Sequence, residues 1–280
     1  MTKTTQRDKM SKENSQDMMT FGGHLEVLRR MLFRIIAVAG TLAIVIFCFK
    51  DVTWKLLLAP SEYTFATYRW IEYVASLVGF DFHFEPFSVD LIATDLSSQF
   101  MTHITTALYL GLLGASPYIV YELFRFVSPA LYENEKKYSV QMVMIVYLLF
   151  LFGVLMSYYV LFPISFRFLG TYSVAAKIHS TITLDSYIST FTTLTLLMGV
   201  VFQLPVIAFV LTKLGMISSG MLSAYRKHSF IIIMFVAAVI TPPDLMTLLL
   251  VTVPLYLLYE VSIIVARKVE KFRGNCDFGR

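Results

Sequence analysis

Tyr138-Ser-Val-Gln-Met-Val-Met-Ile-Val-Tyr-Leu-Leu-Phe-Leu-Phe-Gly-Val-Leu-Met-Ser-Tyr-Tyr-Val-Leu-Phe162 runs without one charged side chain. Coiled as an α-helix it would extend about 37 Å, more than the ~30 Å of a bilayer's hydrocarbon core. Further uncharged stretches occupy 35–49, 96–121, 186–212, 229–243 and 245–259, the last continuing past Glu260 to Ala266. A chain of 280 residues that is 57% hydrophobic and 15% charged, with mean hydropathy +0.68, carries more apolar surface than a water-soluble core can bury. The reading is an all-α, polytopic membrane protein with six transmembrane helices, over approximate spans 31–49, 98–121, 138–162, 186–212, 228–241 and 245–266. From Phe230 to Ile240 the fifth would rise only about 17 Å, so it must extend into its flanks, tilt little or sit in thinned bilayer.

The basic residues orient these spans. Of 23 Lys and Arg, 18 fall in 1–34, 122–137, 213–228 and 267–280, and five (Lys50, Lys55, Arg69, Arg167 and Lys177) fall on the opposite side. Because Lys and Arg are retained in the cytoplasm, both termini are expected there. Residues 1–20 read as a disordered cytoplasmic extension, 21–266 as one six-helix domain and 267–280 as a cytoplasmic tail. The loop from Lys50 to Asp95 is then external. Within it 52–58 and 68–78 suit helices near the interface, with Trp54, Tyr63, Tyr68, Trp70 and Tyr73 as anchors.

Against this frame the block Glu122-Leu-Phe-Arg125-Phe-Val-Ser-Pro129-Ala-Leu-Tyr-Glu133-Asn-Glu135-Lys136-Lys137 is odd, since it places three carboxylates on the basic side. Beside Phe124 and Phe126 they suit an arginine-bearing ligand, because a guanidinium binds carboxylate bidentately and stacks on rings. A solvated loop with its acids paired to Arg125, Lys136 and Lys137 is the plainer alternative. Upstream, Glu26 and Arg30 stand one helical turn apart at the head of the first span. Gln203 and Glu260 are polar groups within or near apolar runs. Gln203 could bond backbone freed by Pro205, and Glu260 could serve function or pair with Arg267 or a headgroup. Thr241-Pro-Pro-Asp244 forms a hairpin in which Asp244 can cap the following helix. The five histidines are scattered and no hydrolase, metal or nucleotide motif is present, so no catalysis, metal or cofactor is expected.

Several blocks occur together in order: His24-Leu25 with Leu28-Arg29, Ile92-Ala-Thr-Asp95, Pro117 through Tyr121, Phe126 with Pro129-Ala-Leu-Tyr132 and Glu135-Lys, Phe162-Pro163, Phe202 with Pro205-Val, Thr241-Pro-Pro-Asp244, and Pro254 with Glu260. In these the chain resembles the TatC family of the bacterial twin-arginine protein translocase, from His24 to about Ala266. The resemblance implies a glove-shaped protein of the bacterial cytoplasmic membrane with short fifth and sixth helices. It implies binding of twin-arginine signal peptides, partnership with single-span TatA- and TatB-type proteins, self-association, and transport of folded proteins driven by the protonmotive force. Nucleic acid has no part in it. Glu135 matches the loop glutamate of arginine recognition, with Phe126 in the same site and Leu28 and Arg29 alongside. Pro60 matches a proline of the first external loop, Asp244 the hairpin aspartate, and Gln203 a fourth-helix glutamate of the concave face, where Glu260 is also grouped.

Two departures stand out. Val27 occupies the place of a family glutamate, with Glu26 one residue earlier and about 100° away around the helix. Glu122, where relatives often carry glutamine, would restore that charge. Thr247-Leu248 replaces a polar pair found in relatives. The rival class is a proton-coupled transporter of a small solute using Glu260 or Asp244. It calls for a midplane solute site and an internal repeat, and no repeat relates the two halves.

Overall fold

The computed structural model describes residues 21–277 apart from 78, 80–86, 88–90, 128–138, 173–180 and 242–243. Helix α1 (Phe21–Cys48) is followed by α2 (Lys50–Leu58), a 3-10 turn at Ala59–Ser61, α3 (Ala66–Leu77) and the short strand β1 (Leu91–Ile92). Next come α4 (Ser98–Gly114), α5 (Ser116–Val127) and α6 (Ser139–Met156), which passes through a π-helical segment at Ser157–Leu161 into α7 (Phe162–Thr171). Strand β2 (Ile182–Thr183) pairs in parallel with β1, Leu91 opposite Ile182. Helices α8 (Leu184–Val201), α9 (Leu204–Lys213), α10 (Ser219–Ala224), α11 (Arg226–Ile240) and α12 (Leu245–Asp277) complete the chain.

Among the described residues, four stretches are long and apolar enough to cross a bilayer: Leu25–Cys48, Met142–Thr171, Leu184–Lys213 and Leu245–Lys271. A fifth is the pair α4 and α5, if its 51° bend is counted within one span. The bend falls where Pro117, at the second position of α5, cannot donate into the preceding turn. The remaining expected span is α11. It reaches back to Arg226, yet its 15 residues rise only about 22 Å, short of a full crossing. Helix α12 is not the short sixth helix expected: its 33 residues run on through most of the expected tail.

Close packing of α1 on α4 depends on one missing side chain. A Cβ added at Gly111 would lie 2.8 Å from the Ala39 carbonyl and from Ala43 Cα and Cβ. Small residues allow such approaches in lipid, where helices gain by contact rather than by leaving water. Gly153 plays the same part between α6 and α8, where a Cβ would come within 2.6 Å of the Met198 carbonyl.

At the end of the bundle away from the α1 N-terminus, the loop helices dock on the π segment through carbonyls that prolines leave without a donor. In a continuous helix Leu56 would receive the N–H of residue 60, but Pro60 has none. The Tyr158 hydroxyl donates to the Leu56 carbonyl instead, at 2.8 Å. Pro163 likewise has no hydrogen for the Tyr159 carbonyl, which accepts from the Thr67 hydroxyl. Tyr187 donates to the Leu57 carbonyl at 2.7 Å. Below them Phe162 meets Tyr187 and Phe191 edge to face, with centroids 5.0 Å apart in both cases. Helices are present in both expected loop segments, and Tyr63, Trp70 and Tyr73 are exposed as anchors should be. Tyr68 is not an anchor. It is 2% exposed, and its hydroxyl donates to the Pro163 and Pro60 carbonyls at 2.9 and 3.3 Å. Burial pushes its phenol well above the usual range, against the opposing pull of the Arg167 guanidinium 5.5 Å over the ring, so the hydroxyl stays a donor.

Two outcomes are expected. Gly111→Leu overpacks the α1–α4 seam and lowers stability by about 1–3 kcal/mol, read by thermal unfolding in detergent. Thr67→Val keeps the shape but strands the Tyr159 carbonyl. A loss of about 1–3 kcal/mol is expected, with faster proteolysis around α3.

Candidate functional site

At the opposite end, α1 begins with its polar side chains in the open. Glu26 accepts from Arg30 Nε at 3.0 Å, the expected one-turn pair, and Arg29 approaches its second oxygen at 3.9 Å. Arg29 also lies 5.7 Å over the Phe33 ring. Leu28 and Val27 are exposed, and Phe126, near the end of α5, is half-buried. The Pro129 to Tyr132 frame, Glu133 and Glu135 lie outside the described residues.

Glu122 is placed differently from what its role as a substitute for the missing charge requires. Its residue is 3% exposed, and its carboxylate is engaged by Arg34 at 3.2 Å and by the Tyr118 hydroxyl at 2.9 Å. A carboxylate withdrawn from water needs such partners. One that already has them is poorly placed to greet a second guanidinium from outside. Glu26 is also paired, with Arg30 and Arg29 of its own helix, but with about half of its side chain exposed it is the more accessible of the two acids, and exposed pairs of this kind exchange at little cost.

The other singled-out residues lie elsewhere. Gln203 sits in the break between α8 and α9, which precedes Pro205. Here the Gln203 backbone N–H turns to the Val200 carbonyl, and its side-chain amide donates to the Gly199 carbonyl thus released, at 3.4 Å. The bond is to backbone, as foreseen, but to a carbonyl released by Gln203's own N–H and not by Pro205, whose missing hydrogen would have served Val201. Its Oε1 is buried with no partner among the described residues. Pro60 is buried in the 3-10 turn of the docked loop. Asp244 caps α12, accepting from the Thr247 N–H at 2.6 Å, and its other oxygen is buried without a partner among the described residues.

Glu260 corrects an expectation. Its main partner in the protein is Arg226 and not Arg267: Arg226, at the start of α11, holds it with a fork of 2.8 and 3.0 Å, and Tyr256 donates at 3.2 Å. Ser229 donates to Tyr259, which donates to the Leu222 carbonyl. Together these polar contacts clip α10, α11 and α12. A carboxylate clamped by a guanidinium fork is a poor proton carrier, which removes the main support for a proton-coupled solute site. Sequence reasoning also passed over Asp185, in the first turn of α8, which accepts from the hydroxyls of Ser98, at 2.5 Å, and Thr102 on α4. The helix-capping pattern Thr183-x-x-Ser186 was the available signal.

Apolar helices spanning a bilayer, with an exposed acid and arginines at one end and a docked loop at the other, define a polytopic membrane protein without a catalytic constellation among the described residues. The profile of the family described as Sec-independent protein translocase protein (TatC) matches residues 23–254. A protein of that name from Blattabacterium sp. subsp. Periplaneta americana (strain BPLAN) is 32% identical over 263 residues, 92% of this chain and 99% of its own. TatCy from Bacillus subtilis (strain 168) is 37% identical over 177 residues, 63% of this chain and 70% of its own. A crystal structure of the twin-arginine translocase receptor TatC superposes with TM-score 0.70 at 28% identity, covering 88% of this chain and 99% of that one. The chain belongs to the TatC family. It is a membrane-protein component of the twin-arginine, Sec-independent translocase, and its work is protein transport rather than catalysis.

The α11–α12 clip can be tested with Arg226→Gln, Glu260→Gln and the double variant. Each single change is expected to lower the melting temperature in detergent by a similar amount, and the double to add little, because both remove one interaction.

Proposed function

We propose that the chain is the receptor and core subunit of its translocase, binding twin-arginine signal peptides at the face formed by the start of α1 and the end of α5. Glu135 and Glu26 bind the two guanidinium groups, Phe126 and Leu28 line the site, and Arg29 stands at its rim. Glu122 supports this face from within. The observation that carries the reading is the exposed Glu26, Leu28 and Arg29 at the head of α1, beside the helix that leads into the Glu135 segment, in a chain of this family.

In this reading six spans cross a bacterial cytoplasmic membrane with both termini inside, and the short α11 narrows one side of a glove-shaped body. The concave face, with Gln203, meets the helices of single-span TatA- or TatB-type partners or of a second copy. Pro60 and Asp244 shape the external side, and Glu260 keeps α11 and α12 in register. The protonmotive force drives passage of the folded cargo.

Crosslinking of a photoreactive twin-arginine signal peptide in membranes tests the central claim. Twin-arginine peptide is expected to label well above a twin-lysine version, because ammonium lacks the fork. Glu135→Ala should reduce labelling by about tenfold or more, the loss of a charge-assisted bidentate bond. Glu26→Gln should reduce it more than Glu122→Gln. Equal labelling by both peptides, or full labelling of Glu135→Ala, would sink the assignment.

A further inference from the structure

Arg34 and Glu122 form a contact that the receptor reading leaves unexplained. Glu122 projects from α5 and Arg34 from α1, and they meet at 3.2 Å with the Glu122 side chain 4% exposed and that of Arg34 46% exposed. Tyr118, one turn back on α5, donates to the same oxygen at 2.9 Å. Arg34 is also tethered on its own helix, its Nε reaching the Arg30 carbonyl at 3.4 Å. Arg125 is the other charge close by on α5, and it is exposed.

Three features indicate what this contact does. Helix α5 departs from α4 by 51°, so α4 does not by itself fix where α5 ends. The chain runs from Val127 directly into the segment that carries Glu135, so the end of α5 sets where that segment begins. Arg34 lies eight residues along α1 from Glu26, about 12 Å on a helix, so tying Arg34 to Glu122 fixes the exposed acid relative to α5. An arginine from outside would have to displace one already present on the same chain, at an effective concentration far above that of any peptide.

We propose that Arg34, Glu122 and Tyr118 form a lock between α1 and α5 that sets the spacing of the arginine-binding face, with Arg34 as Glu122's internal guanidinium. Glu122 is thus a positioning residue and not a contact to the signal peptide. The proposal rests on the receptor reading, and it makes the opposite forecast for Arg34 from a direct-ligand role. Were Glu122 a ligand, removing Arg34 would free it and strengthen binding. As a lock, removing Arg34 leaves a buried carboxylate unpaired and loosens the face.

The test uses the full chain in membranes with Cys48→Ser and Cys276→Ser, and with spin labels at Leu32→Cys and Leu123→Cys, both exposed positions. Distance distributions from pulsed electron paramagnetic resonance are read beside twin-arginine peptide crosslinking. Arg34→Gln is expected to shift and broaden the α1–α5 distance and to reduce crosslinking roughly 2- to 30-fold. Adding Glu122→Gln to it should recover part of both losses, since the stranded charge is gone. Arg34→Lys, which keeps the charge, should stay near the parent in both and stands in if the glutamine variant does not accumulate. An unchanged distance in Arg34→Gln, unchanged or stronger crosslinking by it, or a lysine variant as impaired as the glutamine one would overturn the lock. If the parent protein labels twin-arginine and twin-lysine peptides alike, the receptor reading fails, while the distance readout still decides whether the lock exists.

Discussion

Where a proline withdraws a backbone donor, the carbonyl left behind is met by another group, and this one constraint fastens the loop helices to the bundle. Prolines at 60 and 163 each remove a donor within a helix or at its end. In both cases a hydroxyl from another element fills the gap, Tyr158 at Leu56 and Thr67 at Tyr159. In the break before Pro205 the Gln203 side chain reaches back to the Gly199 carbonyl of α8. Proline therefore works here less as a breaker than as a socket: it exposes an acceptor at a set height, and whatever donates there is fixed in place. The long loop between α1 and α4 is fastened to the bundle in this way.

Charge follows the same logic. Two carboxylates removed from free solvent, Glu122 and Glu260, are each met by an arginine from a different helix, Arg34 and Arg226. Each pair joins elements whose backbones are otherwise interrupted: α5, bent away from α4, and α11, too short to span. The ion pairs stand where backbone continuity and helix length supply least.

Much of this was legible in the sequence. Absence of charge located the long helices, because hydrocarbon excludes charge over a length the chain cannot disguise. Composition alone also placed helices within the loop, and the Glu26–Arg30 pair followed from helical spacing. What was hidden is which face of each helix packs. A run such as 138–162 is apolar all round, so it has no polar side from which to infer the other. Glu122 looked available because nothing in its neighbourhood predicts burial against Arg34, which is 88 positions away in the chain. For Glu260 the sequence offered Arg267, about two turns on, as one possible partner, whereas the partner it has is 34 positions back across a hairpin. Tyr68 read as an interfacial anchor because the prolines that draw its hydroxyl inward lie on other elements.

Helix α12 has a consequence of its own. Its 33 residues amount to about 50 Å, well beyond the thickness of the apolar layer. Near its far end Glu270 accepts from the Ser219 N–H at 2.8 Å and from the Ser219 hydroxyl, so the protruding turns are braced against α10. The last described turns of α12 are therefore held as a stiff post with a set direction. Anything fused there, a fluorescent reporter or a purification handle, would be held at a standoff from the lipid surface and aimed by the helix.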